Sequence, residues 1–207
     1  MSNIPISIID TGLGNIGSVS RMIQRIGGIP HLCSSPDDIV PGSKIILPGV
    51  GHFDYGIASL LDHGFDYTFW KNTAADGNYI LGICLGMQML CRSSEEGTLK
   101  GLCLVEAEVK KIRFTHEQKL KVPHMGWNNV RQGSQNPLIT DGKMEQRFYF
   151  VHTYKVVADR PEIIIGVTNY GGDFCAAFRS NNIFGVQFHP EKSHKFGIEL
   201  LKHFINL

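Results

Sequence analysis

The chain has 207 residues, of which 43% are hydrophobic and 19% charged, and its formal net charge is +1 at pH 7. We expect one domain, residues 1–207, with a sizeable core, and the near-neutral charge argues against non-specific binding of nucleic acid. No apolar stretch is long enough to span a membrane, and the segment after Met1 lacks the basic leader and apolar core of a signal peptide.

The cysteines are scattered and show no CxxC spacing. An odd number of isolated thiols predicts neither a disulfide framework nor a zinc site. Reduced thiols are typical of cytoplasmic proteins, so we expect a cytoplasmic enzyme without a metal or other cofactor. The five are Cys33, Cys84, Cys91, Cys103 and Cys175.

The N-terminal segment predicts a strand over residues 4–9, a glycine-rich loop and an amphipathic helix to about Ile26. Gly12, Gly14 and Gly17 match the GxGxxG spacing of a dinucleotide site. No acidic residue ends the second strand, as such a site requires. A tight turn that packs a helix onto a sheet is therefore at least as good an interpretation.

Residues 44–48 form the next predicted strand, which leads into the turn Gly49-Val50-Gly51-His52. In a parallel sheet such turns gather at one edge, where α/β proteins bind ligands. Backbone N–H groups of this turn are candidates for an oxyanion donor, and a surface turn without a role is the alternative. Residues 54–70 are predicted to form one helix.

The stretch Gly82-Ile83-Cys84-Leu85-Gly86 follows an apolar run and precedes good helix formers. A nucleophile between two glycines at a strand-to-helix turn predicts a nucleophile elbow, which presents its side chain at the carboxyl edge of a sheet. The first helical turn would favour a thiolate at Cys84, and the Leu85 N–H would be an oxyanion donor. An ordinary buried cysteine is the alternative.

The middle of the chain is less distinctive. Glu96, in a polar loop, either faces solvent or meets the ammonium group of a substrate. Residues 101–131 predict short strands, and residues 122–128 predict a loop that carries Trp127, a side chain common at interfaces. Further strands are predicted at residues 148–154, 163–168 and 174–178.

The last predicted strand, residues 185–189, ends at His189 and is followed by Pro190 and Glu191. The imidazole could take the thiol proton of Cys84, and the carboxylate could hold the other ring N–H. Taken alone the segment would as readily be a polar loop, but the elbow favours catalysis. A helix over residues 196–204 closes the chain.

Together, five motifs resemble the class I glutamine amidotransferases, the family with a Cys-His-Glu triad. The resemblance runs from Asp10 to Phe204 and implies an α/β fold with one domain, whose mixed, mostly parallel central sheet lies between helices. The motifs are GICLGMQ around Cys84, PGVG at 48–51, PHMGWN at 123–128, FVHTY at 150–154 and GVQFHPEKS at 185–193.

The resemblance also implies roles for individual residues. The triad would be Cys84, His189 and Glu191. The remaining residues would form an oxyanion hole and contacts to L-glutamine. The oxyanion hole would use Val50, Gly51 and Leu85, and the glutamine contacts would come from Gln88, Glu96 and the backbone of Thr153 and Tyr154.

Within the family, the chain is similar to the glutaminase subunits of imidazole glycerol phosphate synthases. This implies a heterodimer with a (β/α)8 cyclase subunit, which uses the ammonia in histidine biosynthesis, and places Asn15, Trp127 and Lys192 at the interface. Departures at Lys155 and His194 leave a second pathway open, in which ammonia serves acetamidino-sugar formation for surface polysaccharides. A non-catalytic binding module and a free-standing cysteine hydrolase of another amide are the remaining alternatives.

Overall fold

The computed structural model describes residues 4–115, 119–140 and 145–207. Residues 1–3, where the segment examined for a signal peptide begins, lie outside this range. Residues 116–118, which belong to the middle segment predicted to form short strands, also lie outside it. No helix in the described part is long and apolar enough to cross a membrane. The helices are α1 (Ile16–Arg25), α2 (Phe53–Asp62), α3 (Tyr67–Ala75), α4 (Leu85–Met89) and α5 (His194–Ile205), with short 3-10 helices at Pro36–Asp38, Pro161–Ile163 and Pro190–Lys192.

The strands form one mixed sheet in the order β2-β1-β3-β4-β11-β10-β9-β6-β7, with β8 beside β10 and β5 beside β8. Neighbours from β2 to β11 are parallel, and the other pairs are antiparallel. The predicted α/β fold with a mixed sheet is therefore confirmed. The strands are β1 (Ile4–Ile9), β2 (Gly28–Cys33), β3 (Lys44–Gly49), β4 (Ile80–Cys84), β5 (Ala107–Lys111), β6 (His124–Gln132), β7 (Gln146–His152), β8 (Tyr154–Ala158), β9 (Ile164–Asn169), β10 (Asp173–Ser180) and β11 (Ile183–Val186).

Helices cover both faces of the parallel part of the sheet. Alternate residues of β4 belong to different apolar clusters, with Ile80 on one face and Leu81 on the other. The cluster of Leu81 includes side chains of α1 and α5, whereas that of Ile80 includes Phe53 of α2 and Trp70 of α3. Burial on both faces explains why these strands read as continuous apolar runs.

The predicted helix over residues 54–70 is wrong, because the chain turns between α2 and α3. Gly64 adopts a φ of +82° in this turn, a conformation that favours glycine. Asp66 then begins α3 by accepting a hydrogen bond from the Phe69 N–H at 2.7 Å.

The loop predicted at residues 122–128 is also wrong, since most of it belongs to β6. Pro123 precedes the strand and so removes no donor from it, and β6 pairs with β7 from His124 opposite His152 to Val130 opposite Gln146. The strand predicted at 148–154 is divided, because β7 ends at His152 and Tyr154 begins β8.

Candidate active site

The elbow after β4 has the predicted strained geometry. Cys84 adopts φ 55° and ψ −109°, a region that non-glycine residues rarely occupy. A Cβ on Gly82 would lie 2.6 Å from the Met87 nitrogen, and one on Gly86 would lie 1.8 Å from the Leu47 oxygen. The two glycines therefore permit a contact between strand and helix that any side chain would prevent.

His189 follows β11 after two further residues, so the prediction that it lies within the last strand is wrong. It begins the 3-10 helix Pro190–Lys192. Its N–H donates to the Tyr149 oxygen at 2.9 Å, and its own oxygen accepts from the Ser193 hydroxyl at 2.6 Å. Two neighbouring elements thus fix the backbone that carries the imidazole.

Glu191 lies in the same 3-10 helix and not on an extended segment, yet it reaches the ring. His189 Nδ1 and Glu191 Oε1 are 2.8 Å apart, and both side chains are almost fully buried. Burial would lower the pKa of His189, but the interactions with Cys84 and Glu191 outweigh it and raise this pKa above its usual 6.5. In the described part of the chain, His189 Nε2 has no hydrogen-bond partner.

A cavity of about 300 Å³ opens over Cys84 and His189. Glu191 lies behind His189 and is not part of the cavity wall. The structure therefore brings together the residues predicted to attack, to stabilise an oxyanion and to bind glutamine. The wall consists of Val50, Gly51, Cys84, Leu85, Gln88, Glu96, Pro123, Val151, His152, Thr153, Tyr154 and His189.

The turn after β3 packs directly against the elbow. A Cβ on Gly49 would lie 2.9 Å from the Gly86 nitrogen, so the turn and the start of α4 are in close contact. Val50 is 43% exposed, and Gly51 has a φ of +106°. Both line the cavity together with Leu85, so backbone N–H groups of two segments are candidates for one oxyanion hole.

Gln88 and Glu96 have specific partners. The Gln88 amide nitrogen donates to the Tyr154 oxygen at 3.2 Å and to Gln187 Oε1 at 2.9 Å. Glu96 Oε2 accepts the Phe53 N–H at 2.9 Å, at the start of α2. Glu96 is therefore held beside the cavity as a carboxylate able to receive an ammonium group.

Tyr154 uses its carbonyl within the protein. That oxygen accepts from Gln88 and from His152 Nδ1, the latter at 2.7 Å, which is the usual capacity of a carbonyl oxygen. A glutamine contact from Tyr154 must therefore use another of its atoms.

Sequence reasoning missed Gln187 and the pair of His124 and His152. Gln187 is fully buried, and its amide nitrogen lies 3.8 Å from the Cys84 sulfur. A polar residue between Val186 and Phe188 in a buried segment is a signal that could have identified it. His124 Nδ1 and His152 Nε2 are 2.9 Å apart.

Acidification from pH 6.5 to pH 4 is expected to destabilise the fold through this histidine pair. Burial lowers the pKa of His124 to about 4 and that of His152 to about 3, the nearby charges of Lys155 and His189 adding to the latter shift. The unfolded chain then binds protons that the folded chain does not, so the free energy of unfolding falls as pH falls.

Each such histidine contributes up to about 1.4 kcal/mol per pH unit in that window. Urea unfolding of the wild type and of His124→Phe at stepped pH measures this contribution. The variant should show a slope shallower by about that amount. Equal slopes would contradict the assignment of a neutral, buried His124.

Trp127 and Lys192, two of the predicted interface residues, both contact the Tyr149 ring. Trp127 is 42% exposed and contacts the Tyr149 ring edge to face, with 6.1 Å between ring centroids. The Lys192 ammonium lies 5.7 Å from the same ring centroid. The Trp127 indole also stacks on His194 at 5.4 Å. Asn15 is exposed just before α1.

No group of three or more histidine, cysteine or acidic side chains in the described ranges could hold a metal ion. The elbow cysteine and the buried His189 beside the same cavity form an arrangement that can support nucleophilic chemistry, in which the Cys84 sulfur would attack and His189 would carry the proton.

Comparison with known proteins identifies the family. The model of glutamine amidotransferase class I matches residues 8–207. An imidazole glycerol phosphate synthase subunit HisH 2 from Methanococcus maripaludis is 45% identical over 200 residues, covering 97% of this chain and 98% of the relative. The subunit HisH 2 of Pseudomonas aeruginosa is 43% identical over 202 residues, covering 98% and 99%.

Solved structures agree on the fold. PurLQS from Thermotoga maritima aligns with a TM-score of 0.69 at 18% identity, covering 99% of this chain and 98% of that one. A crystal structure of a glutamine amidotransferase aligns with a TM-score of 0.71 at 15% identity, covering 97% of each chain. With the family match and the relatives above, these findings show that the chain is an enzyme of the class I glutamine amidotransferase family.

Proposed function

We propose that the chain is the glutaminase subunit of an imidazole glycerol phosphate synthase and acts through Cys84, His189 and Glu191. The observation that supports this most is the cavity that joins an elbow cysteine to a histidine whose Nδ1 is held by a buried carboxylate. The two HisH relatives cover nearly the whole chain.

In the proposed reaction, the Cys84 sulfur attacks the side-chain amide carbon of L-glutamine while His189 takes the thiol proton. The N–H groups of Leu85 and of the turn at Val50 and Gly51 stabilise the oxyanion. His189 then delivers the proton to the leaving nitrogen, ammonia departs and a glutamyl thioester remains. A water molecule that gives its proton to His189 hydrolyses the thioester to glutamate and restores the thiol.

The proposed partner is a (β/α)8 cyclase in a heterodimer, where ammonia is used to form imidazole glycerol phosphate and aminoimidazole carboxamide ribonucleotide. Met125 and Trp127 are exposed on β6 and are suited to anchor such a subunit. Lys192 and Asn15 would lie at the rim of the same interface. The free thiols of all five cysteines suit a cytoplasmic location.

A second candidate keeps the chemistry and changes the acceptor to a nucleotide sugar, which would receive ammonia for an acetamidino group. The observation that favours it is His194, which adopts a φ of +46° and covers one face of Trp127. A glycine would suit that backbone and leave the indole bare, so this side chain alters the proposed docking face.

The decisive experiment measures glutamate release by the purified chain alone, with a histidine-pathway cyclase and its nucleotide, and with a sugar-modifying synthetase from the same genome. We expect strong stimulation by the cyclase and none in Cys84→Ala. Stimulation by the synthetase alone would assign the chain to acetamidino-sugar formation instead of histidine biosynthesis. A glutamine-analogue electrophile that fails to label Cys84 in either complex would favour a non-catalytic module.

A further inference from the structure

A chain of hydrogen bonds starts at the half-buried Asn128 of β6 and runs inward. The Asn128 amide nitrogen lies 3.2 Å from His124 Nε2, and His124 Nδ1 lies 2.9 Å from His152 Nε2. His152 Nδ1 in turn lies 2.7 Å from the Tyr154 oxygen. Asn128 follows Trp127 on β6, and its side chain points to the opposite face of the strand, so the chain begins on the strand that carries the exposed indole but behind it.

The groups at the two ends of this part of the chain determine which atom donates and which accepts in every hydrogen bond. The Tyr154 oxygen can only accept, so His152 Nδ1 donates and its Nε2, in the neutral ring, accepts. His124 Nδ1 must therefore donate, which leaves its Nε2 to accept from Asn128. The Asn128 amide nitrogen also donates to the Asn169 oxygen at 2.9 Å, which fixes the orientation of that amide.

The second half of the chain starts from the same Tyr154 oxygen and reaches the nucleophile. Gln88 donates one amide hydrogen to this oxygen and the other to Gln187 Oε1. Gln187 must then turn its own amide nitrogen towards the Cys84 sulfur, 3.8 Å away. The acceptor at Tyr154 thus determines the orientation of both glutamine amides.

We infer that His124, His152 and Gln187 are positioning residues of the glutaminase reaction, which orient Gln88 and Cys84 and connect them to β6, the strand whose exposed face carries Trp127. This inference rests on the function proposed above. Because both amide hydrogens of Gln88 are engaged, Gln88 offers glutamine its oxygen alone. The Gln187 N–H is aimed at the Cys84 sulfur, and hydrogen bonds to a charged acceptor are stronger than those to a neutral one.

The first test removes the two ring nitrogens of His124 and keeps the ring. His124→Phe retains a flat ring between Phe150 and Tyr170, on which His124 stacks with centroids 4.8 Å and 4.0 Å apart. His124→Asn is the conservative variant, because its amide nitrogen can replace the donor to His152. His203→Phe, a change at a partly buried histidine of α5, is the matched control.

For His124→Phe we expect the KM for glutamine to rise about three- to tenfold, as for the loss of one hydrogen bond, with a smaller change in kcat and a weaker response to the partner. His124→Asn should recover most of the wild-type KM, and His203→Phe should not change it. A His124→Phe enzyme with the KM and partner response of the wild type would overturn the inference.

The second test reads the thiol directly and needs no turnover. The rate of Cys84 alkylation by iodoacetamide is followed against pH in the wild type, Gln187→Leu and the nearly isosteric Gln187→Glu. Both variants should require a higher pH for the same rate, Gln187→Glu most, because a carboxylate repels a thiolate. Three superimposable profiles would refute the role of Gln187. A wild type that alkylates readily but releases no glutamate would refute only the proposed function.

Discussion

Replacing Cys84 by alanine is expected to lower kcat for glutamate release by about 10⁴-fold or more, because the change removes the atom that forms the thioester. Losses of this size are typical when a nucleophile of a triad is removed, since the remaining groups act only as a unit with it. Steady-state glutamate release in the presence of the partner measures the effect. The change removes a single sulfur atom from a buried side chain, so the unfolding midpoint should fall only slightly.

The matched control for this substitution is Cys103→Ala. Cys103 is exposed, and it also has a φ above zero, at 54°, so the two variants share the same chemical change and a similar backbone constraint. Cys103→Ala should retain the wild-type kcat and KM. A Cys84→Ala enzyme with more than about 1% of the wild-type kcat would remove Cys84 from the mechanism.

Gly86→Ala is expected to reduce the free energy of unfolding by about 3 kcal/mol or more, or to prevent folding altogether. The added methyl group would lie 1.8 Å from the Leu47 oxygen and 2.9 Å from its carbon. Both atoms are backbone of the buried strand β3, so neither can move without disturbing the parallel sheet. Urea unfolding at pH 7 measures the loss.

Gly77→Ala separates this steric effect from backbone strain. Gly77 has a φ of +80° and no atom within 4 Å of the added Cβ, so only the left-handed backbone opposes the substitution. The expected loss is about 1–2 kcal/mol. Equal losses in the two variants would mean that the sheet yields at Leu47 and that the elbow is less closely packed than the distances imply.

The sequence predicted the parallel half of the fold well because its strands are buried on both faces. Residues 4–9 and 44–48 contain little but apolar side chains, and a turn residue ends each of them. The antiparallel half gave a weaker signal, since Pro123 stands just before β6 and Gly126 lies within it, and both residue types are common in loops. Its partner β7 overrides those local preferences with a full ladder.

The candidate site was predictable where one motif held both a reactive residue and its support. Cys84 between two glycines, and Glu191 two residues after His189, are local patterns. The link between His124 and His152 is not local, because the register of β6 against β7 alone makes these two residues opposite one another. The contacts of Gln187 with Cys84 and Gln88 are not local either, because they depend on the pairing of β11 with β4.

The position of β11 in the middle of the sheet affects how the protein folds. This strand lies between β4 and β10, and Gly185 pairs with Gly82 about one hundred residues earlier in the chain. Pairings of such high contact order form slowly. β4, which ends at Cys84, is also made long before β11, which leads to His189. In the proposed mechanism Cys84 therefore has no His189 beside it during synthesis, and hydrolysis begins only once β11 has joined the sheet.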